Sequence, residues 1–144
     1  MISILTNPTE QNFKDIESLL AQLHGDSASS YSPTLSNLAT LTAGQNGYVI
    51  VSSDDEKIVG MAILYVHQGI DQITGHVDDV VVDEAHRGKG IATQLMNEVI
   101  SLAKEKNLRQ VELTSRPSRE AANHLYQKLG FEKRETNPYR LKLQ

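Results

Sequence analysis

Apolar residues recur along the chain with two different periods, and the change of period predicts where helices and strands alternate. Helical spacing links the apolar residues between positions 13 and 23, 35 and 41, 91 and 103, and 122 and 129. Continuous or alternating apolar runs predict strands at residues 2–6, 48–52, 58–66, 77–82, 110–114, 131–134 and 139–143. The chain therefore predicts four helices interspersed among short strands.

The first helix carries a start signal, and a loop follows it. Asn7-Pro8-Thr9-Glu10 predicts Asn7 as the N-cap and Pro8 at the first helical position. Gly25 is the expected end of this helix. The serine-rich residues 26–33 predict a loop between the first and second helices.

One stretch combines a buried strand, a glycine-rich turn and a helix. The β-branched residues of 77–82 precede Arg87-Gly88-Lys89-Gly90, and helical spacing begins at Ile91. Glycine has no Cβ atom, so its backbone N–H can approach an anion closely. The first N–H groups of a helix lack partners within it and lie at the positive end of its dipole. The stretch therefore predicts a phosphate site to which Arg87 and Lys89 add positive charge.

This turn matches neither of two familiar nucleotide motifs. No GxxxxGK[ST] run occurs, and Thr93 stands where the dinucleotide fingerprint GxGxxG/A requires its third small residue. The turn instead resembles motif A of the GNAT superfamily of N-acetyltransferases, whose signature [QR]xxGx[GA] is satisfied by residues 87–92. In that family the motif holds the pyrophosphate of acetyl-coenzyme A. The resemblance implies coenzyme contacts from Arg87, Gly88, Lys89, Gly90, Ile91, Ala92 and Thr93.

A second block extends the resemblance. Residues 119–135, REAANHLYQKLGFEKRE, resemble motif B of the same superfamily, in which LYxKxGF recurs. The two motifs cover roughly the C-terminal half, and the N-terminal half agrees in its order of elements. The resemblance implies one α/β domain over residues 1–144 with the acyl-CoA N-acyltransferase fold, a central mixed β-sheet flanked by about four helices.

The resemblance also implies which groups carry the chemistry. In the family a bulge in the fourth strand offers backbone N–H groups to the thioester oxygen and pairs with the pantetheine arm, which places Val80, Val81 and Val82 at the coenzyme. Tyr126 stands where the family commonly has a tyrosine near the coenzyme sulfur, and its phenol could protonate the leaving thiolate. The alternative for Tyr126 is a packing role between helix and sheet. Asn123, one turn earlier, is a candidate coenzyme contact.

Asp78 and Asp79 lie inside the apolar strand and are candidates for the catalytic base. Adjacent residues of a strand point to opposite faces, so at most one of them is expected to face a given site. A carboxylate in an apolar strand is costly unless it is satisfied, so one of the two is expected to have a specific partner. In several family members a carboxylate at this point lies beside the acceptor amine. The alternative is an ion pair with a nearby Arg or Lys.

The predicted function is N-acetyl transfer from acetyl-coenzyme A to a primary amine, by direct transfer in a ternary complex. The acceptor is a small-molecule amine or a protein or peptide amine, and the family places Asp26 and Tyr31 near its pocket. The alternatives are a non-enzymatic module that binds acyl-coenzyme A as a sensor or scaffold, and an enzyme that uses a longer acyl donor. The sequence leaves the oligomeric state open, with a homodimer as one option.

Composition and charge narrow the classes of partner. The 144 residues contain no cysteine, which excludes disulfides, zinc-thiolate sites and a covalent thiol mechanism. The five histidines are scattered, so no metal is expected. A net charge of −4 without a long basic run argues against nucleic acid as a partner. No apolar run approaches membrane-spanning length, and a cytoplasmic protein is expected.

Overall fold

A computed structural model describes all of residues 1–144 as two compact units, Met1–Thr114 and Ser115–Gln144. The first unit contains a five-stranded sheet and three helices, and the second contains one helix. The strands are β1 (Ile2–Ile4), β2 (Gly47–Asp54), β3 (Lys57–Gln68), β4 (Ile73–Val82) and β5 (Val111–Leu113). The helices are α1 (Glu10–His24), α2 (Leu35–Ala43), α3 (Ile91–Glu105) and, in the second unit, α4 (Glu120–Lys128). A single domain over residues 1–144 stays a prediction.

The sheet is mixed, as expected. Its strands lie in the order β1-β2-β3-β4-β5. The first three pairings are antiparallel, whereas β4 and β5 run parallel over only three residue pairs, from Gly75↔Val111 to Val77↔Leu113. From Asp78 onward, the edge of β4 that faces β5 therefore has no registered strand partner.

The helices of the first unit cover both faces of the sheet. Helices α1 and α2 bury their apolar faces in a core cluster with alternate residues of β2 and β3, such as Val49, Met61 and Ile63. Helix α3 packs on the other face, where a Cβ at Gly60 would lie 3.1 Å from Ile91 and 3.2 Å from Leu95. Glycine at position 60 thus lets α3 approach β3 closely at the point where α3 begins.

A buried carboxylate ties α1 to the sheet. Asp15 is only 7% exposed, and its Oδ2 accepts a hydrogen bond from the backbone N–H of Ile58 at 3.0 Å. Its Oδ1 accepts a second from Gln11 Nε2, also at 3.0 Å. These bonds satisfy a carboxylate that would otherwise be costly to bury.

The start of α1 differs from the prediction. Asn7 is not the N-cap: it adopts a left-handed φ of 49°, and the helix starts at Glu10. Thr9 caps it, because its side chain accepts the N–H of Asn12 while the Asn12 side chain accepts the N–H of Thr9. This reciprocal capping box satisfies two N–H groups at the start of the helix.

Two further expectations are corrected. The serine-rich segment between α1 and α2 is not all loop, since Gly25–Ser30 forms a short 3₁₀ helix. The strands predicted at residues 131–134 and 139–143 are absent, and Tyr139, Leu141 and Leu143 are all more than 80% exposed. An alternating apolar pattern forms a strand only when a neighbouring strand accepts its hydrogen bonds, and here none does.

The remaining elements agree closely with the sequence. The hairpin of β2 and β3 turns at Asp55 and Glu56, and α3 begins directly after Gly90. The strand expected at residues 110–114 is present but shorter and only half-buried. No helix combines the length and the hydropathy needed to cross a bilayer.

Candidate active site

A β-bulge interrupts β4 between its two halves. The register pairs Met61 with Val81 and Ile63 with Asp78, so Asp79 and Val80 together lie opposite the single residue Ala62. The bulge is accommodated at Asp79, whose φ of 52° is left-handed. Asp and Asn tolerate this conformation better than most residues do. The bulge that the resemblance implied for this strand is therefore present, and Asp79 lies within it.

The bulge directs Asp79 into a cleft between the sheet and the first two helices. The cleft has a volume of about 170 Å³. Its walls come from α1, α2 and the adjoining strands, and Asp79 and Tyr65 are its titratable residues. A half-buried acid is thus brought to a concave surface large enough for a small molecule.

Burial and neighbouring charge both perturb this carboxyl group. Desolvation raises the pKa of Asp79 above its ordinary value of 3.8, Asp78 raises it further, and His24 acts in the opposite direction. The pKa of the Tyr65 phenol is raised as well, first by burial and then by Asp79 and Asp78. The cleft therefore holds an acid whose conjugate base is stronger than that of an ordinary aspartate.

Asp78 has different surroundings. Its side chain is 49% exposed, and its Oδ1 lies 3.4 Å from Nε2 of His76. It does not line the cleft, although its charge reaches Tyr65. Only one of the two adjacent carboxylates therefore lines the cleft, and Asp78 acts on Tyr65 through its charge.

The candidate acceptor contacts of the first loop lie outside the cleft lining. Tyr31 is half-exposed and stacks on the His24 ring, with centroids 3.6 Å apart and planes 7° apart. Asp26 is exposed in the 3₁₀ helix. His24 lowers the pKa of Asp79 through its charge, but neither ring of the stacked pair lines the cleft.

The glycine-rich turn has the backbone geometry of an anion site. Gly88 and Gly90 have φ values of 77° and 78°, and a Cβ on either would meet nothing within 4 Å. Gly90 precedes α3 and no side chain caps the helix, so no side chain satisfies its first N–H groups. These open, uncapped groups fit the pyrophosphate of a coenzyme A molecule, although the coenzyme contacts assigned to residues 87–93 stay a prediction.

A hydrogen-bond network holds the approach to this turn. The Asp83 carboxylate accepts from Gln22 Nε2 at 2.8 Å and lies 2.7 Å from Nδ1 of His86. The bond from Gln22, more than any other contact, lowers the pKa of Asp83. Arg87 Nε then donates to the carbonyl oxygen of Val82 at 3.0 Å. These contacts thus hold Asp83 against α1 and Arg87 against the end of β4.

The candidate residues of motif B belong to the second unit. Tyr126 is 9% exposed, and its ring meets Phe131 edge-on at a centroid distance of 6.0 Å. Burial raises the pKa of its phenol, against the effect of Arg119. The phenol is therefore protonated at neutral pH and is a weaker acid than an exposed tyrosine.

Asn123 has a local structural role. Its Nδ2 donates to the carbonyl oxygens of Arg116 and Arg119, at 2.8 and 2.9 Å. These bonds close the turn that leads into α4. The coenzyme contact predicted for Asn123 would have to use its side-chain oxygen or its backbone.

Sequence reasoning missed Tyr65 and His24 as site residues. Tyr65 shares a face with Met61 and Ile63 through the two-residue period of β3, which is visible in the sequence. The sequence does not show the pairing register of β3 and β4, which brings this face next to Asp79. His24 carries no local signal, because its effect on Asp79 depends on where α1 ends.

No group of three or more histidine or carboxylate side chains is placed to hold a metal ion.

Comparisons with known proteins all point to one family. The profile of the acetyltransferase (GNAT) family matches residues 13–131. The L-2,4-diaminobutyric acid acetyltransferase of Halalkalibacterium halodurans is 35% identical over 86 residues, which are 58% of this chain and 43% of that protein. The glucosamine 6-phosphate N-acetyltransferase of Trypanosoma brucei brucei is 31% identical over 102 residues, 67% of each chain. The chain thus spans less than half of the first of these relatives and two thirds of the second.

A solved structure resembles the whole chain. The crystal structure of a Trypanosoma brucei acetyltransferase superposes with a TM-score of 0.79 at 26% identity, covering 99% of both chains. The family profile covers far more than half of the sequence. This protein therefore belongs to the acetyltransferase (GNAT) family.

Proposed function

We propose that the protein is an N-acetyltransferase that moves the acetyl group of acetyl-coenzyme A to the primary amine of a small molecule. One observation carries the proposal: the β4 bulge places a half-buried carboxylate, Asp79, in a small cleft next to an unpaired strand edge. The names of the two relatives, which refer to diaminobutyric acid and glucosamine 6-phosphate, support a small-molecule amine.

The donor would be held by backbone groups. Beyond Val77, β4 offers its edge groups to no strand of the sheet on the β5 side, and an extended ligand can pair with such an edge as an added strand does. We assign the backbones of Val80, Val81 and Val82 to this contact. The N–H groups of residues 87–93 would receive the pyrophosphate at the helix N-terminus.

Asp79 would act as the general base. A primary amine is protonated at neutral pH, and its nitrogen can attack only after losing a proton. The raised pKa of Asp79 makes its carboxylate a stronger base than an exposed aspartate, while its position in the cleft lets it receive that proton. Asp78 does not line the cleft, so we assign the role to Asp79.

The reaction also requires a proton donor for its leaving group, the thiolate of coenzyme A. The coenzyme supplies an acetyl thioester whose C–S bond breaks as the C–N bond forms. The nitrogen then loses its second proton to solvent, and the departing thiolate takes a proton. On the family resemblance we assign this proton to the phenol of Tyr126. Because the raised pKa makes that phenol a weaker acid, its hydrogen bond to the thiolate would matter as much as full proton transfer.

Direct transfer in a ternary complex is favoured over a covalent route. The chain has no cysteine that could carry the acetyl group as a second thioester. Both substrates would then have to be bound together, which the unpaired β4 edge and the adjoining cleft allow. Holding them in one geometry lowers the entropic part of the barrier.

The test uses acetyl-coenzyme A, a panel of primary amines, and detection of both free thiol and acetylated product by mass spectrometry. Asp79→Asn should lower kcat by at least about tenfold and leave coenzyme binding nearly unchanged. Asp78→Asn is the matched comparison one residue away and should retain most of the rate. If Asp78→Asn alone abolished transfer, the assignment of the base would be wrong.

The non-enzymatic alternative predicts a different result. A sensor or scaffold would bind coenzyme A and release no thiol with any amine. Wild-type protein that is stabilised by coenzyme A, yet releases no thiol with any amine of the panel, would favour that alternative.

A further inference from the structure

The cleft that contains Asp79 is lined almost entirely by apolar side chains. Nine of its thirteen lining residues are aliphatic, phenylalanine, methionine or proline, including Phe13, Leu20, Leu38, Leu41, Met61 and Ile63. The remaining four are Thr34, Asn37, Tyr65 and Asp79. An acceptor in this cleft would therefore be surrounded by hydrocarbon and would meet one charge.

That one charge is negative. No lysine, arginine or histidine lines the cleft. Outside the lining, Asp78 adds to the negative potential at Asp79 and His24 opposes it. A carboxylate or phosphate on the acceptor would lose its water here and find no cation in return. An ammonium group, in contrast, would find Asp79 as its partner. The electrostatics favour a cationic acceptor without an acidic group.

The size of the cleft limits the apolar part of the acceptor. A cavity of about 150 Å³ lined by Leu, Ile and Phe is known to take up one benzene molecule. The cleft volume of about 170 Å³ is therefore sufficient for one aromatic ring or a chain of about six carbons.

We propose that the acceptor of this protein is a hydrophobic primary amine, with its ammonium group at Asp79 and an apolar group of about six carbons in the cleft. The proposal rests on the proposed acetyltransferase function and adds the substrate class. It separates this protein from the two relatives, whose named substrates carry a carboxylate or a phosphate.

An alkylamine series measures the apolar contribution directly. Propylamine, butylamine, pentylamine and hexylamine differ only in chain length, and each methylene group that enters the cleft should raise kcat/KM about fourfold. Hexylamine should then exceed propylamine by about sixtyfold, and octylamine should add little because the cleft is full. Benzylamine should react well, and 2,4-diaminobutyrate and glucosamine 6-phosphate poorly. Equal values along the series, or a preference for either acidic amine, would overturn the proposal.

A matched pair of variants tests whether the preference for longer alkylamines arises in the cleft. Leu20 is half-buried and lines the cleft, whereas Leu108 is half-buried in the same unit and does not line it. Leu20→Gln should reduce the hexylamine-to-propylamine ratio of kcat/KM by about fourfold or more, since it replaces apolar wall with an amide. Leu108→Gln should leave that ratio unchanged. A ratio that fell equally in both variants would show that the discrimination arises elsewhere.

Amine binding without chemistry separates failure of the substrate class from failure of the proposed function. The mixture contains coenzyme A, which has no acetyl group to transfer, and the shift in Tm is measured for each alkylamine. A shift that grows with chain length, without thiol release in the acetyl-coenzyme A assay, would support the specificity of the cleft and contradict the enzymatic function. Thiol release with polar amines, and no chain-length dependence in either assay, would contradict the substrate class and leave the function standing.

Discussion

The left-handed glycine at the start of α3 offers a direct test of the coenzyme site. Gly90 has φ 78° and ψ 10°, and a Cβ added there would meet nothing within 4 Å. Gly90→Ala should therefore fold without a clash and cost about 1–2 kcal/mol for an L-residue in the left-handed region. In a domain of this size that loss lowers Tm by about 2–8 °C.

Gly90→Ala should also reduce the stabilisation that coenzyme A gives to the folded protein. At a coenzyme A concentration about one hundred times its Kd, the wild-type protein gains about 2.7 kcal/mol, which corresponds to a rise in Tm of about 5–11 °C. The methyl group that Gly90→Ala adds would occupy the open space in front of the uncapped helix, where the pyrophosphate is proposed to lie. An approximately tenfold weaker Kd would halve the shift at the same concentration, and a roughly hundredfold weaker one would nearly remove it.

Gly25→Ala is the matched control. Gly25 also has a positive φ, 56°, and a Cβ there would likewise meet nothing within 4 Å, but it lies at the end of α1. Its substitution introduces backbone strain without touching the glycine-rich turn. Thermal melts of the three proteins, with and without coenzyme A, separate the two effects. A folded Gly90→Ala protein with the full wild-type shift would refute the phosphate-site assignment.

Four other predictions concern single side chains. Tyr126→Phe should lower turnover by about ten- to a thousandfold with little change in the Tm shift caused by coenzyme A, and full activity would return Tyr126 to a packing role. Asp78→Asn removes a charge that raises the pKa of Asp79, so the acidic limb of the pH profile of kcat/KM should move to lower pH; an unmoved limb would contradict the coupling. Asp79→Asn should raise Tm at pH 7, because ionising this carboxyl destabilises the folded state, and the gain should shrink as the pH falls toward 3.8. Asp15→Ala should cost about 1–3 kcal/mol in chemical denaturation, since it leaves the buried N–H of Ile58 without its acceptor.

The helices and the glycine-rich turn could be predicted because their signals are local. The apolar face of α3 repeats every three to four residues, and Gly90 marks its start within the same short stretch. The two strands of the β2–β3 hairpin could be predicted from the sequence for the same reason. Thr9, however, is the N-cap in place of Asn7, and Asn12 completes its capping box.

The tail shows where local pattern fails. Tyr139, Leu141 and Leu143 alternate with polar residues as a half-buried strand would, yet they are exposed. A strand depends on hydrogen bonds to a neighbour, and the neighbour is not encoded in the segment itself. The sequence could therefore indicate that residues 139–143 tend to form a strand, but it could not indicate whether a partner strand is present.

The cleft could not be predicted because it depends on register. Whether Asp78 or Asp79 faces a site is decided by the point at which β3 and β4 slip by one residue, between Met61 and Ile63. A one-residue shift in pairing moves side chains from one face to the other. The family resemblance supplied the existence of a bulge, and the structure supplies its position.

Three unfavourable features meet at Asp79. Its backbone is left-handed, its carboxyl is partly desolvated, and another carboxylate is its neighbour in sequence. Each of these raises the free energy of the folded protein, and asparagine would tolerate the same backbone without the charge. Packing alone gives no reason to keep an aspartate there. A strong base beside an acceptor cleft does, because the features that destabilise the ionised carboxyl also increase its affinity for a proton. The same arrangement explains why the acceptor should be apolar beyond its amine: the hydrocarbon walls that accept it are the walls that desolvate the base.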